Sequence, residues 1–191
     1  MGILVPRRRT RRSAAVIPAA VVLFLTAAGT LRAGADGVAL DEYQVKAAFL
    51  FNFAKFVEWP AEAGSGATDS LSLCILGHNP FGSALDSVAG KRVGTKTFVV
   101  REISNTAEAA QCQILFMAAS ERKREKLVLP PLKGSSVLTV GETDEFLSDG
   151  GMIAFKLKDA RVSFEINPAA AERAKLHISS KLLSLGESAK R

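Results

Sequence analysis

Leu71-Ser72-Leu73-Cys74-Ile75-Leu76-Gly77-His78-Asn79-Pro80-Phe81-Gly82 is the stretch that decides the fold. Leu71 to Leu76 is a short, mostly apolar run closed by Gly77, which reads as a strand. Asn79 then offers a side-chain oxygen that suits a helix cap, with Pro80 at the first helical position. The expected helix runs to about Ala89 and ends at Gly90. A strand feeding directly into a helix is the unit from which parallel sheets are built.

Downstream the alternation repeats. Phe98 to Glu102 reads as a strand, Ser104 to Ala110 as a short helix, and Ile114 to Met117 as an apolar core strand. Ser120 can cap a charged helix to about Val128, which Pro130-Pro131 stops. Val137 to Val140 is another strand, Thr143 to Leu147 a helical turn, and Gly150-Gly151 a strand-entry turn. The pattern then changes. Ile153 to Leu157 and Val162 to Ile166 are β-rich runs joined by Lys158-Asp159-Ala160-Arg161, which reads as a hairpin. In its second strand Val162, Phe164 and Ile166 face one way, and Arg161, Ser163 and Glu165 the other. Asn167-Pro168 repeats the cap-plus-proline signal, a helix continues through Lys175, and Ser179 to Leu185 is a last segment before a tail, 187–191, expected to fray.

Upstream, Tyr43 to Glu58 holds no Gly or Pro and reads as a helix, which Trp59-Pro60 ends. Val45, Ala48, Phe49, Phe53 and Phe56 share one side, and Leu50, Ala54 and Val57 another, which predicts burial on most sides. Asn52 is expected to be buried there and to pin the helix through amide hydrogen bonds. The 61–70 stretch, with Gly64-Ser65-Gly66, is a flexible connection. Strands alternating with helices predict an α/β, three-layer sandwich: a mixed, mainly parallel sheet of about five or six strands with a C-terminal hairpin.

The first 35 residues carry a different message. Arg7, Arg8, Arg9, Arg11 and Arg12 precede an apolar run from Ala14 to Ala28, and Ala33-Gly34-Ala35 places small residues where a signal peptidase reads. At about 15 residues, with Pro18 inside it, the run falls short of the roughly 20 that a membrane anchor needs. Ser13-Ala14-Ala15 is a poor match to a twin-arginine export signal. The expectation is a cleaved secretory signal over 1–35, a single domain over 36–191, and a periplasmic location. The net charge of +6 then loses its apparent meaning. Six of the 25 Lys and Arg, and none of the 19 acids, lie in residues 1–35, so the remainder is formally neutral. A neutral domain has no general attraction for phosphates, which argues against nucleic acid as a partner. The tract Glu121-Arg122-Lys123-Arg124-Glu125-Lys126 interleaves acids with bases and reads as a solvated helix face.

Cys74 and Cys112 form an isolated pair. In an oxidising compartment they read as a disulfide worth on the order of 4 kcal/mol in the loop-entropy model, or otherwise as two buried thiols. No Cys or His pair has metal-ligand spacing, no Ser sits in a nucleophile elbow, and Gly77 to Gly82 lacks the lysine and spacing of a phosphate loop. No catalytic, cofactor or metal residue is assigned, and no enzyme is expected. His78 follows a strand, where open α/β sheets bind ligands, and is the candidate ligand contact beside a plain turn role. His177 has no carboxylate or nucleophile near it in sequence.

Taken in order, these segments resemble the YfiR family. The most specific part is Val45-Lys46-Ala47-Ala48-Phe49-Leu50-Phe51-Asn52-Phe53-Ala54-Lys55-Phe56-Val57-Glu58-Trp59-Pro60. Leu73-Cys74-Ile75-Leu76-Gly77, Asn79-Pro80-Phe81-Gly82, Cys112-Gln113-Ile114-Leu115-Phe116, Gly150-Gly151-Met152-Ile153, Val162-Ser163-Phe164-Glu165-Ile166-Asn167 and Ser179-Ser180-Lys181-Leu182-Leu183 add to it. The resemblance implies a periplasmic repressor that holds an inner-membrane diguanylate cyclase, or another membrane sensor protein, inactive through its periplasmic domain. It also implies sequestration by an outer-membrane peptidoglycan-associated lipoprotein, and a link from envelope redox state to cyclic-di-GMP, biofilm and motility. Cys74 and Cys112 match the family's pair by position, whereas 144–157 holds no second pair, so any redox response rests on one bridge. A homodimer is a further candidate assembly. Phe155 within a polar rim of Arg161, Ser163 and Glu165 is the candidate partner surface, with Phe155 as core the alternative. A periplasmic small-ligand sensor is the competing function.

Overall fold

The computed structural model describes residue 2 and residues 35–61 and 69–188. The chain divides into two units, Met1–Arg32 and Ala33–Arg191, and all the secondary structure described lies in the second. The expected signal segment, apart from Gly2 and Ala35, and the Gly64-Ser65-Gly66 connection lie outside the described residues.

The order is α1 (Ala35–Phe56), β1 (Val57–Glu58), β2 (Ser70–Leu76), β3 (Arg92–Val93), β4 (Lys96–Ile103), β5 (Ile114–Met117), α2 (Glu125–Val128), β6 (Leu138–Gly141), β7 (Ile153–Lys158), β8 (Arg161–Ile166), α3 (Pro168–Arg173), β9 (His177–Ile178), α4 (Ser180–Leu185) and β10 (Glu187–Ser188). The main sheet runs β10-β8-β7-β6-β5-β2-β4-β3. β4, β2, β5, β6 and β7 are mutually parallel, and β8 returns antiparallel to β7 as the expected hairpin. Two-residue strands β3 and β10 lengthen the edges beyond the expected set, and β1 pairs with β9 in a separate ribbon.

Alternating side chains feed two cores, one on each face of the sheet. From β2 and β5, Leu71, Leu73, Ile75, Ile114 and Phe116 enter one cluster with α1, α3 and α4. Cys74, Leu76, Leu115 and Met117 enter the other with Cys112, Val128, Leu129, Leu132 and Phe146. These are the three layers that the alternation predicts, since a parallel sheet must be covered on both sides.

The helices depart more from expectation than the strands. α1 begins at Ala35, before Tyr43, and buries Ala47, Leu50, Phe53 and Ala54. Val45 and Ala48 lie on an exposed stripe, whereas Phe49, Phe51 and Phe56 are half-buried against the core, so the helix is covered on most of its sides but not on that one. Asn52 is half-buried and not buried, so it does not require a full internal set of amide partners. The helix expected after Pro80 is a 3-10 segment over Gly82–Ser87. The Asn79 side chain accepts from the Phe81 N–H at 3.0 Å, a local turn that ends before a helix can start. The segment expected from Ser104 is a 3-10 turn over Thr106–Gln111 capped by Asn105. The charged helix opens with a 3-10 turn over Ala119–Arg124. Ser120 caps nothing, because its oxygen accepts from the His78 N–H at 2.9 Å. α3 and α4 follow their signals, with Asn167 and Ser179 accepting from the Ala170 and Leu182 N–H groups. Where fraying was expected, Glu187 and Ser188 pair with Glu165 and Ile166.

Candidate functional site

Cys74, within β2, and Cys112, just before β5, are joined with Cα atoms 6.0 Å apart. The bond ties positions 38 residues apart, and both side chains are buried in the second cluster. The β2–β5 pairing sets Cys74 opposite Leu115, and Cys112 reaches across from the end of its 3-10 turn.

β4 and β5 lie on opposite sides of β2, which makes the β2–β5 carboxyl end the topological switch point. His78 stands there, exposed, as the sequence places it. The crevice beside it is filled. Gly77 has φ +95, and a Cβ on it would meet Ser120 Oγ at 2.5 Å and Glu121 Cγ at 2.6 Å. Only glycine accommodates both that conformation and that approach. A cavity of about 20 Å³ lies elsewhere, lined by Thr139, Met152 and Arg173 among others. It has room for about one water.

At the carboxyl ends of β5 and β6 the structure assembles a group that the sequence reading missed. Lys46 Nζ, on α1 and 4 % exposed, lies 2.7 Å from Glu142 Oε2 and 2.5 Å from Glu42 Oε1. Tyr43 donates to Glu142 Oε2 at 3.1 Å, and the Ala119 N–H donates to Glu142 Oε1 at 3.1 Å. Lys46 also lies over the Tyr43 ring, 4.4 Å from its centre. Burial first, and then the Glu142 carboxylate, push the Tyr43 phenol well above its ordinary range. Among the described residues no buried side-chain nitrogen or oxygen lacks a partner, and this group clamps α1 to the strand ends. The available signal was Lys46 standing beside the apolar run Ala47 to Phe51.

The hairpin carries the candidate contact surface, with one correction. Phe155 is 2 % exposed and packs against Phe49, Phe53 and Phe116 with ring centres 6.2, 5.8 and 6.4 Å away. It faces α1 and is core, so it is not a surface anchor. Two residues toward the tip, on the same face, Leu157 is 52 % exposed. Register pairs Lys156 with Ser163, Lys158 with Arg161 and Ala154 with Glu165, so all of these share the opposite face. Arg161 is exposed, while Ser163 and Glu165 are half-buried. Lys156 reaches Asp144 at 3.3 Å. A shallow hollow at the tip is bounded by Lys158, Asp159, Arg161 and Ser163.

His177 is exposed and lies opposite Glu58 in the β1–β9 ribbon. Among the described residues no cluster of His, Cys, Asp or Glu has the make-up of a metal site, and no helix is long and apolar enough to cross a membrane.

The fold is an open, mainly parallel α/β sheet with a closed switch point, which defines a structural class without naming an activity. Within that class the assignment is specific: residues 43–187 match the model of the YfiR/HmsC-like family, and the chain belongs to it. Membership supports a periplasmic regulatory role in general terms, and a regulator rather than an enzyme. No curated protein matches the chain. Among solved structures, a conserved domain protein from Vibrio cholerae O1 is similar, with TM-score 0.50, 9% identity, and coverage of 78% of this chain and 60% of that one. The ABC domain in complex with L-Trp from Streptococcus pneumonia gives TM-score 0.49, 9% identity, and coverage of 77% and 60%. The chain thus spans 60% of the length of each. At 9% identity the Vibrio likeness concerns the fold alone.

Proposed function

We propose that this protein is exported, cleaved after Ala35, and acts as a periplasmic repressor over residues 36–191. It binds the periplasmic sensory domain of an inner-membrane signalling enzyme, a diguanylate cyclase first, and holds it inactive. The observation that carries the reading is the family match over residues 43–187. The filled crevice beside His78 favours a protein contact over a small ligand at the strand ends. The contact surface is the hairpin face of Arg161, Ser163 and Glu165, which Lys156 and Lys158 share, while Leu157 lies on the other face. Charged and polar groups gathered on one face give such a contact its specificity and its rate of association. Sequestration by an outer-membrane peptidoglycan-associated lipoprotein releases the enzyme. The buried Cys74–Cys112 bond makes the repressor depend on an oxidising envelope.

Deleting the gene tests this reading. Cyclic-di-GMP should rise, the full chain should restore repression, and a chain without residues 1–35 should not, because it stays in the cytoplasm. Unchanged nucleotide levels, with the cyclase shown to be expressed, would refute the cyclase as target.

A further inference from the structure

Glu125, the first residue of α2, is 0 % exposed. Its two carboxyl oxygens each lie 2.8 Å from the same atom, Thr143 Oγ1. A hydroxyl has one proton, so it cannot donate fully to both oxygens. The groups facing Glu125 are Arg122 from the preceding 3-10 turn, and Thr143, Glu145 and Asp149 from the segment after β6. The cations nearby are engaged elsewhere. Arg122 pairs with Glu145 at 2.6 Å, Arg124 with Glu121 at 2.7 Å, and Lys126 with Asp149 at 3.9 Å. A fully buried carboxylate with one shared donor and no ion-pair partner among the described residues would be left almost unsolvated. A neutral carboxyl fits the same geometry without that cost. Its own O–H donates to Thr143 Oγ1, and the Thr143 O–H donates to its other oxygen.

We propose that Glu125 is a buried proton switch: neutral in the closed domain, it ionises only by leaving its seat, and so loosens the 119–129 segment. Val128, the last residue of α2, and Leu129 just after it pack in the cluster that buries Cys74 and Cys112. Ionisation therefore loosens the cover of the disulfide, which couples envelope pH to its reducibility. Burial is also the main influence raising the Glu125 pKa, with Thr143 opposing it and Asp149 and Glu145 adding to it.

The sign follows from linkage. The folded state holds this proton at pH values where the unfolded chain has lost it, so stability falls as pH rises from the ordinary glutamate value toward the raised one. Glu125→Gln keeps a neutral donor to Thr143 and removes the titration. Relative to wild type, its folding constant should be level in acid and gain up to tenfold per pH unit across that interval. It should then be level again. A ratio independent of pH would overturn the proposal. Carboxyl carbon NMR of the wild-type exported protein gives a second reading that does not depend on the variant folding. The Glu125 resonance should remain in its protonated position after the exposed glutamates have titrated. Titration together with them would equally overturn it. Disulfide reduction by a phosphine, compared between wild type and Glu125→Gln at each pH, should accelerate with rising pH in wild type alone. Equal pH dependence in both would sever the link to the bridge.

Discussion

Asp159 and Ala160 form the two-residue turn of the hairpin, with φ of 50 and 57. That is the left-handed pair that a tight hairpin needs, and an alanine there pays roughly 1 kcal/mol that glycine would not. Ala160→Gly should therefore raise stability by about 1 kcal/mol in chemical denaturation, less the entropy glycine returns to the unfolded chain. Lys175, at φ 58, has the same conformation in the stop of α3. There the Leu176 N–H reaches the Ala171 carbonyl and the Lys175 N–H that of Glu172. The hairpin was legible from its flanking β-rich runs, but no glycine marked the turn. The Lys46–Glu142 clamp was illegible for another reason: its members are 96 residues apart, and no local pattern links them. Glu125 was hidden in a tract whose alternating charges describe a solvated face well for Arg122, Lys123, Arg124 and Lys126 but not for Glu125.

At the scale of elements, strands were easier to read than helices. Of the six strands longer than three residues, β2, β5 and β6 are buried along nearly their whole length, while β4, β7 and β8 mix apolar residues with polar ones that stay partly exposed. The helical connections depend on which polar oxygen is free to cap, and tertiary contacts decide that. Ser120 is the clear case, since the end of β2 takes its oxygen. The Gly150-Gly151 turn is shaped by packing also. The Phe146 ring packs over the end of β6 and the entry to β7, where a Cβ on Gly141 would come within 2.3 Å of it and one on Gly151 within 2.2 Å. Gly151→Ala should cost about 1–3 kcal/mol by overpacking. Adding Phe146→Leu should recover part of that loss, against the roughly additive penalty expected of independent sites. A thermal or urea double-mutant cycle reads both effects.

Across the whole molecule, the disulfide and the two cores make the surface a rigid scaffold for one hairpin. The bond spans 38 residues and lies at the centre of the sheet. Replacing Cys74 and Cys112 together by alanine should cost about 2–5 kcal/mol. Urea titration of the variant and of the oxidised wild type should show it. Of the candidate surface, Arg161, Ser163 and Glu165 could be placed on one face from alternation alone. Phe155 could not be told from core, because only the position of α1 decides which hairpin residues are covered. The most direct measurement adds the protein over residues 36–191 to the solubilised membrane cyclase proposed as its target and follows binding and cyclic-di-GMP synthesis in one sample. The account predicts that synthesis falls to a plateau as the complex saturates, and that Arg161→Glu with Lys158→Glu weakens both together. Absence of binding, or saturating binding with synthesis unchanged, would contradict it.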